Sequence, residues 1–147
     1  MNTFRVLSAL LTYPTGELVS LVSVMKQELQ AEGILRGEDV SSLEPLFFEL
    51  ASVDIYDLQA RYVELFDQYR ALSLHLFEHV HGESRDRGQA MVSLLERYRE
   101  AGLDLRASEL PDFLPVFLEY LSQLPREEAC AELGEAVAVI ATLTRRL

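Results

Sequence analysis

Asp54-Ile55-Tyr56-Asp57-Leu58-Gln59-Ala60-Arg61-Tyr62-Val63-Glu64-Leu65-Phe66-Asp67-Gln68-Tyr69 is the stretch that decides the fold class. Leu58, Tyr62, Leu65, Phe66 and Tyr69 fall at i, i+4, i+7, i+8 and i+11, which gathers them into one broad stripe of an α-helix. Asp54 stands where a side-chain oxygen can accept from the free N–H groups of the first turn. Strict two-residue alternation with strand-like flanks is sustained nowhere in the chain. An all-α fold is therefore expected, as a single-domain bundle of about six to eight helices over residues 1–147.

Outward from that stretch the same spacing recurs. Phe4, Leu7 and Leu11 share the face of a first helix, which Pro14 and Gly16 end, and a second helix is expected over 17–31. Gly33 and Gly37 frame a polar loop, after which Ser41 or Ser42 can cap a helix carrying Leu46, Phe47 and Leu50, with Pro45 in its first turn. His81-Gly82-Glu83-Ser84 reads as a turn with Ser84 as the cap of a helix whose buried side is Met91, Leu94, Leu95 and Tyr98, ending at Gly102. Pro111 breaks the chain again, Asp112 is expected to cap, and Pro115 is tolerated in the first turn of the helix that follows. Pro125 ends that helix. The last one carries Leu133, Ala136, Val137, Ile140 and Ala141 on one face and meets no stop signal before Leu147, which suggests a chain cut short of its natural C-terminal tail.

Composition narrows the function classes. A chain of 147 residues that is 49% apolar can bury a core without disulfides or metal. Its 24 acidic against 13 basic side chains give a formal charge of −11, with Lys26 the single lysine. That balance argues against nucleic acid, which is bound by clustered cations, and suits a basic partner segment. Cys130 is the only cysteine, so no intramolecular disulfide can form; in the expected last helix it reads as a packing residue. The apolar run before Leu11 is too short to span a membrane, is interrupted by Ser8 and lacks a small-residue cleavage site, so a cytoplasmic location is expected.

The densest polar constellation is His75-Leu76-Phe77-Glu78-His79-Val80-His81-Gly82-Glu83-Ser84-Arg85-Asp86-Arg87, which holds every histidine of the chain. His75, Glu78 and His79 match H-x-x-E-H, in which two imidazoles one helical turn apart bind zinc and the glutamate acts as base. Against this zinc-hydrolase alternative, five residues are a weak pattern, and histidines on a half-buried helix more often bond to backbone or carboxylates. Arg85-Asp86-Arg87 at a helix start could hold a phosphate, or simply pair locally. No Gly-rich phosphate loop and no G-x-S-x-G elbow occur, so no catalytic residue, metal or bound cofactor is assigned.

Residues 76–91, Leu76-Phe77-Glu78-His79-Val80-His81-Gly82-Glu83-Ser84-Arg85-Asp86-Arg87-Gly88-Gln89-Ala90-Met91, resemble the signature of the NarJ family of nitrate reductase assembly chaperones. The flanking stretches Gln59-Ala60-Arg61-Tyr62-Val63-Glu64-Leu65-Phe66-Asp67 and Glu109-Leu110-Pro111-Asp112-Phe113-Leu114-Pro115, with Leu118-Glu119-Tyr120-Leu121, resemble that family in the same order. The resemblance implies an all-helical cytoplasmic chaperone, related to those of the TorD and DmsD type. Such a chaperone binds the N-terminal segment of the respiratory nitrate reductase catalytic (alpha) subunit and assists insertion of the molybdenum cofactor before membrane attachment. It implies no enzymatic activity. The family extends beyond residue 147, and its pattern does not ask for a histidine at His75.

For such a client, an apolar groove is expected between the helix bearing Tyr62, Leu65 and Phe66 and the helix after Asp112, with Glu64, Asp67, Glu83, Asp86 and Asp112 as its acidic rim. Phe77, His79, His81, Arg85, Arg87, Pro111 and Phe113 complete the candidate client-binding set. His79 and His81 would make affinity depend on pH near neutrality. A monomer is expected, and a generic helical interaction module is the remaining alternative.

Overall fold

The computed structural model describes residues 1–81 and 85–147. Helices α1 (Asn2–Leu10), α2 (Gly16–Ser20), α3 (Val22–Glu32), α4 (Gly37–Ser42), α5 (Glu44–Ser52) and α6 (Ile55–Tyr62) form the N-terminal half. Helices α7 (Arg85–Glu100), α8 (Leu114–Gln123) and α9 (Arg126–Arg146) form the rest, and the described residues contain no strand beyond one isolated bridge. No helix among them is long and apolar enough to cross a membrane.

Two apolar clusters hold these helices, and α1 belongs to both. Val6 joins Val22, Met25, Leu29, Val40, Phe47, Leu50 and Leu58, while Phe4 joins the larger cluster built around α8. Eight of the ten residues of α8 are buried, among them Leu114, Val116, Phe117, Leu118, Tyr120 and Leu121, and Glu119 and Gln123 face outward. Burial of each large side chain stabilises the fold by about 1.5–3 kcal/mol. Where α1 crosses α8, the hydroxyl of Ser8 donates to the Pro115 carbonyl at 2.6 Å, so the polar residue that interrupts the first apolar run is satisfied inside the core.

Several stops lie where the sequence places them. Gly102 has φ +79°, and the N–H groups of Gly102 and Leu103 return to the carbonyls of Arg99 and Tyr98. That is a left-handed helix end, a conformation that favours glycine. Asp54 accepts from Tyr56 N–H at 2.9 Å, and Pro45 and Pro115 occupy first turns.

Other expectations need correction. The helix expected over 17–31 breaks at Leu21, giving α2 and α3, and Thr15 caps the first piece. Ser41 and Ser42 cap nothing; they lie in the last turn of α4 and donate to the carbonyls of Gly37 and Asp39. The helix from Asp54 does not run unbroken to Tyr69, since after Tyr62 it widens into a π turn over Val63–Asp67. That turn leaves Leu65 38% and Tyr69 60% exposed, so only Leu58, Tyr62 and Phe66 of the stripe reach the interior. On α9 the buried line is Ala129, Ala136 and Leu143, flanked by Leu133, Val139 and Ile140. Val137, 53% exposed, and Ala141 fall outside it. Cys130 is exposed, one residue from Ala129, which takes the buried position. The cap expected at Ser84 and the rim carboxylate Glu83 lie outside the described residues.

Candidate functional site

Residues 73–81 are not helical in the way the H-x-x-E-H reading requires. His75 is extended backbone bridged antiparallel to Phe113, and only Leu76–His79 turn, as a 3-10 segment. The bridge is anchored by Leu114 N–H donating to Leu74 O at 2.8 Å and Leu76 N–H donating to Asp112 O at 2.9 Å. The two imidazoles therefore do not stand one α-helical turn apart. His79 donates from Nε2 to the Ser73 carbonyl at 2.8 Å, while Nδ1 of His75 lies 3.3 Å from Asp112 Oδ1 and its ring packs on Phe113. Among the described residues no group of three or more His, Cys, Asp or Glu is placed to hold a metal ion.

Asp112 is the tether of this segment. Its side chain is 0% exposed, so it neither caps α8, whose first turn has no side-chain cap, nor serves in an acidic rim. One carboxylate oxygen accepts from Phe77 N–H at 3.1 Å and lies 3.8 Å from the Arg87 guanidinium; the other faces His75. Arg87 also stands 3.8 Å from Glu78, so its charge is spent on local pairing. Pro111 is buried, and its carbonyl accepts from the Tyr98 hydroxyl at 2.7 Å. Burial pushes the Tyr98 hydroxyl well above its ordinary pKa, with nearby negative charge adding to it.

Held this way, the 3-10 segment forms one wall of two adjoining cavities whose other wall is α9. The first, of about 220 Å³, has a floor of Leu76, Phe77, Val80, Leu94, Phe117, Ala136 and Val139, with His81, Arg97, Glu132 and Glu135 at its edge. Arg97 pairs with Glu132 at 2.7 Å and lies 3.9 Å from Glu135, which is 77% exposed. The second, of about 650 Å³, shares Val80 and Val139 and is lined by Arg70, Ala71, Glu78, His79, Ala138, Thr142 and Arg146.

The groove expected between the Tyr62 helix and α8 is not open, because the apolar residues of α8 are buried and only Glu119 and Gln123 are exposed along it; the open surface nearby is the cleft formed by these two cavities. Phe77, His79 and His81 line the cleft. Tyr62 instead seals the neighbouring layer: its hydroxyl donates to Leu11 O at 3.0 Å and its ring packs on Tyr13 and Phe66. Burial, helped by the Asp67 charge, pushes its pKa up to about 12. Glu64, Leu65, Asp67, Arg85 and Asp86 are exposed, and Phe113 is half-buried against His75. The α9 residues of the cleft escaped the sequence reading, since nothing in a single sequence pairs positions some sixty residues apart.

The sequence profile described as nitrate reductase delta subunit matches residues 25–147. The chain belongs to the nitrate reductase delta subunit family. Among similar proteins in this family's company, the nitrate reductase molybdenum cofactor assembly chaperone NarJ of Escherichia coli K12 is 49% identical over 142 residues, 97% of this chain and 60% of NarJ. The probable assembly chaperone NarW of the same strain is 42% identical over 147 residues, 100% of this chain and 61% of NarW. The probable NarJ of Bacillus subtilis is 30% identical over 146 residues, 99% of this chain and 78% of that protein. The chain thus spans about 60% of the length of the two Escherichia coli relatives. All three carry the names of assembly chaperones, not of enzymes.

Proposed function

We propose that this nitrate reductase delta subunit family chain acts as a molybdenum cofactor assembly chaperone for nitrate reductase, in the cytoplasm and as a monomer. It holds the N-terminal segment of the catalytic subunit as a helix in the cleft between residues 76–81 and α9, before the enzyme attaches to its membrane. The observation that carries this reading is the apolar floor of Phe77, Val80, Leu94, Phe117, Ala136 and Val139, opening beside the exposed Glu135. Helix-in-groove recognition asks for such a floor to take side chains at i, i+3, i+4 and i+7. A net charge of −11 gives the surrounding field the sign that attracts a basic segment. Names of relatives at 49% and 42% identity supply the client class.

Calorimetric titration with a synthetic peptide of the catalytic subunit's N-terminal segment tests it. Phe77→Ala is expected to weaken binding about tenfold, as loss of a central apolar contact does at helix-binding grooves. Phe48→Ala, at an exposed position of α5 in the other cluster's layer, is expected to leave affinity unchanged. Equal effects of the two substitutions, or no binding by the native chain, would remove the cleft from consideration.

A further inference from the structure

At the mouth of the first cavity carboxylates outnumber guanidiniums. Among its described lining residues, Glu132 and Glu135 of α9 face Arg97 of α7, while His81 stands on the other wall with its ring against Phe77. Arg97 donates to Glu132 at 2.7 Å and lies 3.9 Å from Glu135, beyond hydrogen-bond reach. Burial works against the charge of Arg97, yet its bond to Glu132 and the charges of Glu132 and Glu135 raise its pKa above the ordinary value. The guanidinium thus stays charged and committed to Glu132. Burial and the charge of Glu132 also push the neighbouring Tyr120 hydroxyl up, with Glu128 and Glu100 adding to them and Arg97 opposing, so the field at this mouth is net negative. Glu135 is broadly exposed and makes no hydrogen bond among the described residues. On α9 it stands at i to the i+4 of Val139, which belongs to the apolar floor.

We infer that Glu135 determines which segments the cleft accepts, by selecting a helix that carries a lysine or arginine at the edge of its apolar stripe. That cation lies about one helical turn from the side chain entering the first cavity. The spacing is geometric: Glu135 and Val139 are one turn apart on α9, so a helix lying along α9 meets them with side chains at the same separation. Glu132 does not share this role, because Arg97 already occupies it. The field of a chain with net charge −11 draws a lysine on any face of a client. A carboxylate in direct reach distinguishes one face from another, and an acidic side chain at the same place meets it as a like charge. The inference rests on the cleft reading above and names the side chain by which the cleft tells one segment from another.

The probes are synthetic helical peptides of about four turns, blocked at both termini and sharing one leucine stripe, titrated into the full chain by calorimetry. The first carries a lysine at each edge of the stripe, the second carries both lysines on the opposite face, and the third has glutamine at all of these places. Edge lysines are expected to bind about fivefold tighter than opposite-face lysines, the upper reach of an exposed charge pair. Glu135→Gln is expected to remove that difference, and Glu135→Lys to make the edge lysines the weaker binders. Glu38→Gln, exposed on α4 in the other cluster's layer, removes the same charge and is expected to keep the difference. A difference that persists in Glu135→Gln, or none between the two lysine peptides with the native chain, overturns the role of Glu135. The cleft itself then still stands on the glutamine peptide, provided Phe77→Ala weakens its binding. Failure of the native chain to bind any of these peptides overturns the cleft and the role of Glu135 together.

Discussion

Asp112→Ala is expected to cost about 3–4 kcal/mol of stability, although the residue lies in a loop. The substitution leaves Phe77 N–H without its acceptor at 3.1 Å. An orphaned buried donor costs about 1–3 kcal/mol. It also strips Arg87 of a carboxylate at 3.8 Å. Breaking a fully buried pair costs about 3–5 kcal/mol, but Arg87 is 20% exposed, lies 3.8 Å away and keeps Glu78, so this loss is about 1–2 kcal/mol. Asp112→Asn keeps an oxygen for Phe77 N–H and loses only the charge, for about 1–2 kcal/mol. The difference between the two variants isolates the backbone hydrogen bond from the ion pair. The chain has no tryptophan, so urea unfolding is followed by far-ultraviolet circular dichroism, with the m-value checked for constancy. A cost for alanine below about 1 kcal/mol would mean that apolar packing alone holds residues 73–81, and the same cost for both variants would mean that the Phe77 hydrogen bond adds nothing; either result refutes the tether.

Three further outcomes follow from particular contacts. Tyr98→Phe removes a buried donor from the Pro111 carbonyl and is expected to lose about 1–2 kcal/mol in the same urea assay. Gly102→Ala forces a side chain onto φ +79° and is expected to lose about 1 kcal/mol, visible as a lower denaturation midpoint at unchanged m-value. Tyr62 is raised in the folded chain to about 12, above the value of about 10 of an unfolded tyrosine. Its neutral form therefore contributes stability that is complete below pH of about 10 and lost as pH rises through the folded value. Ultraviolet difference titration is expected to show Tyr62 ionising late, and Tyr62→Phe to flatten the alkaline loss of stability; ionisation of all six tyrosines near pH of about 10 would contradict this.

What the sequence reveals here is what is local. The face of Met91, Leu94, Leu95 and Tyr98, the glycine that ends it, the prolines that bound α8 and the cap at Asp54 all depend on residues within two turns of one another. The failures are long-range. Asp112 before a helix reads as a cap by its neighbours, yet the Phe77 N–H, thirty-five positions away, claims the carboxylate. His75 and His79 keep helical spacing in sequence, but pairing of Leu74 and Leu76 with residues 112–114 draws the backbone out straight. The last helix shows its apolar residues plainly, while the choice between Val137 and Val139 as the inner one depends on where Phe77 and Phe117 sit. Family resemblance directs attention to residues 76–91 and does not say which of them face outward.

The placement of the carboxylates bears on how a client would be released. Asp112 is sealed and lines neither cavity; of the lining carboxylates Glu78, Glu132 and Glu135, the first lies near Arg87, the second is held by Arg97 at 2.7 Å, and only Glu135 meets solvent broadly. Attraction of a basic segment then comes mostly from the field of a chain with net charge −11. Between exposed charges such a field is screened beyond a Debye length of about 8 Å at physiological salt. It therefore acts chiefly on the rate of encounter, whereas the apolar floor sets the rate of departure. A fully desolvated ion pair in the cleft would invert that division, since separating it leaves a buried charge unpaired at a cost of several kcal/mol. With the buried carboxylate of Asp112 bonded to the Phe77 backbone, and so out of a client's reach, the proposed cleft would collect a segment quickly and give it up without having to break a buried charge pair.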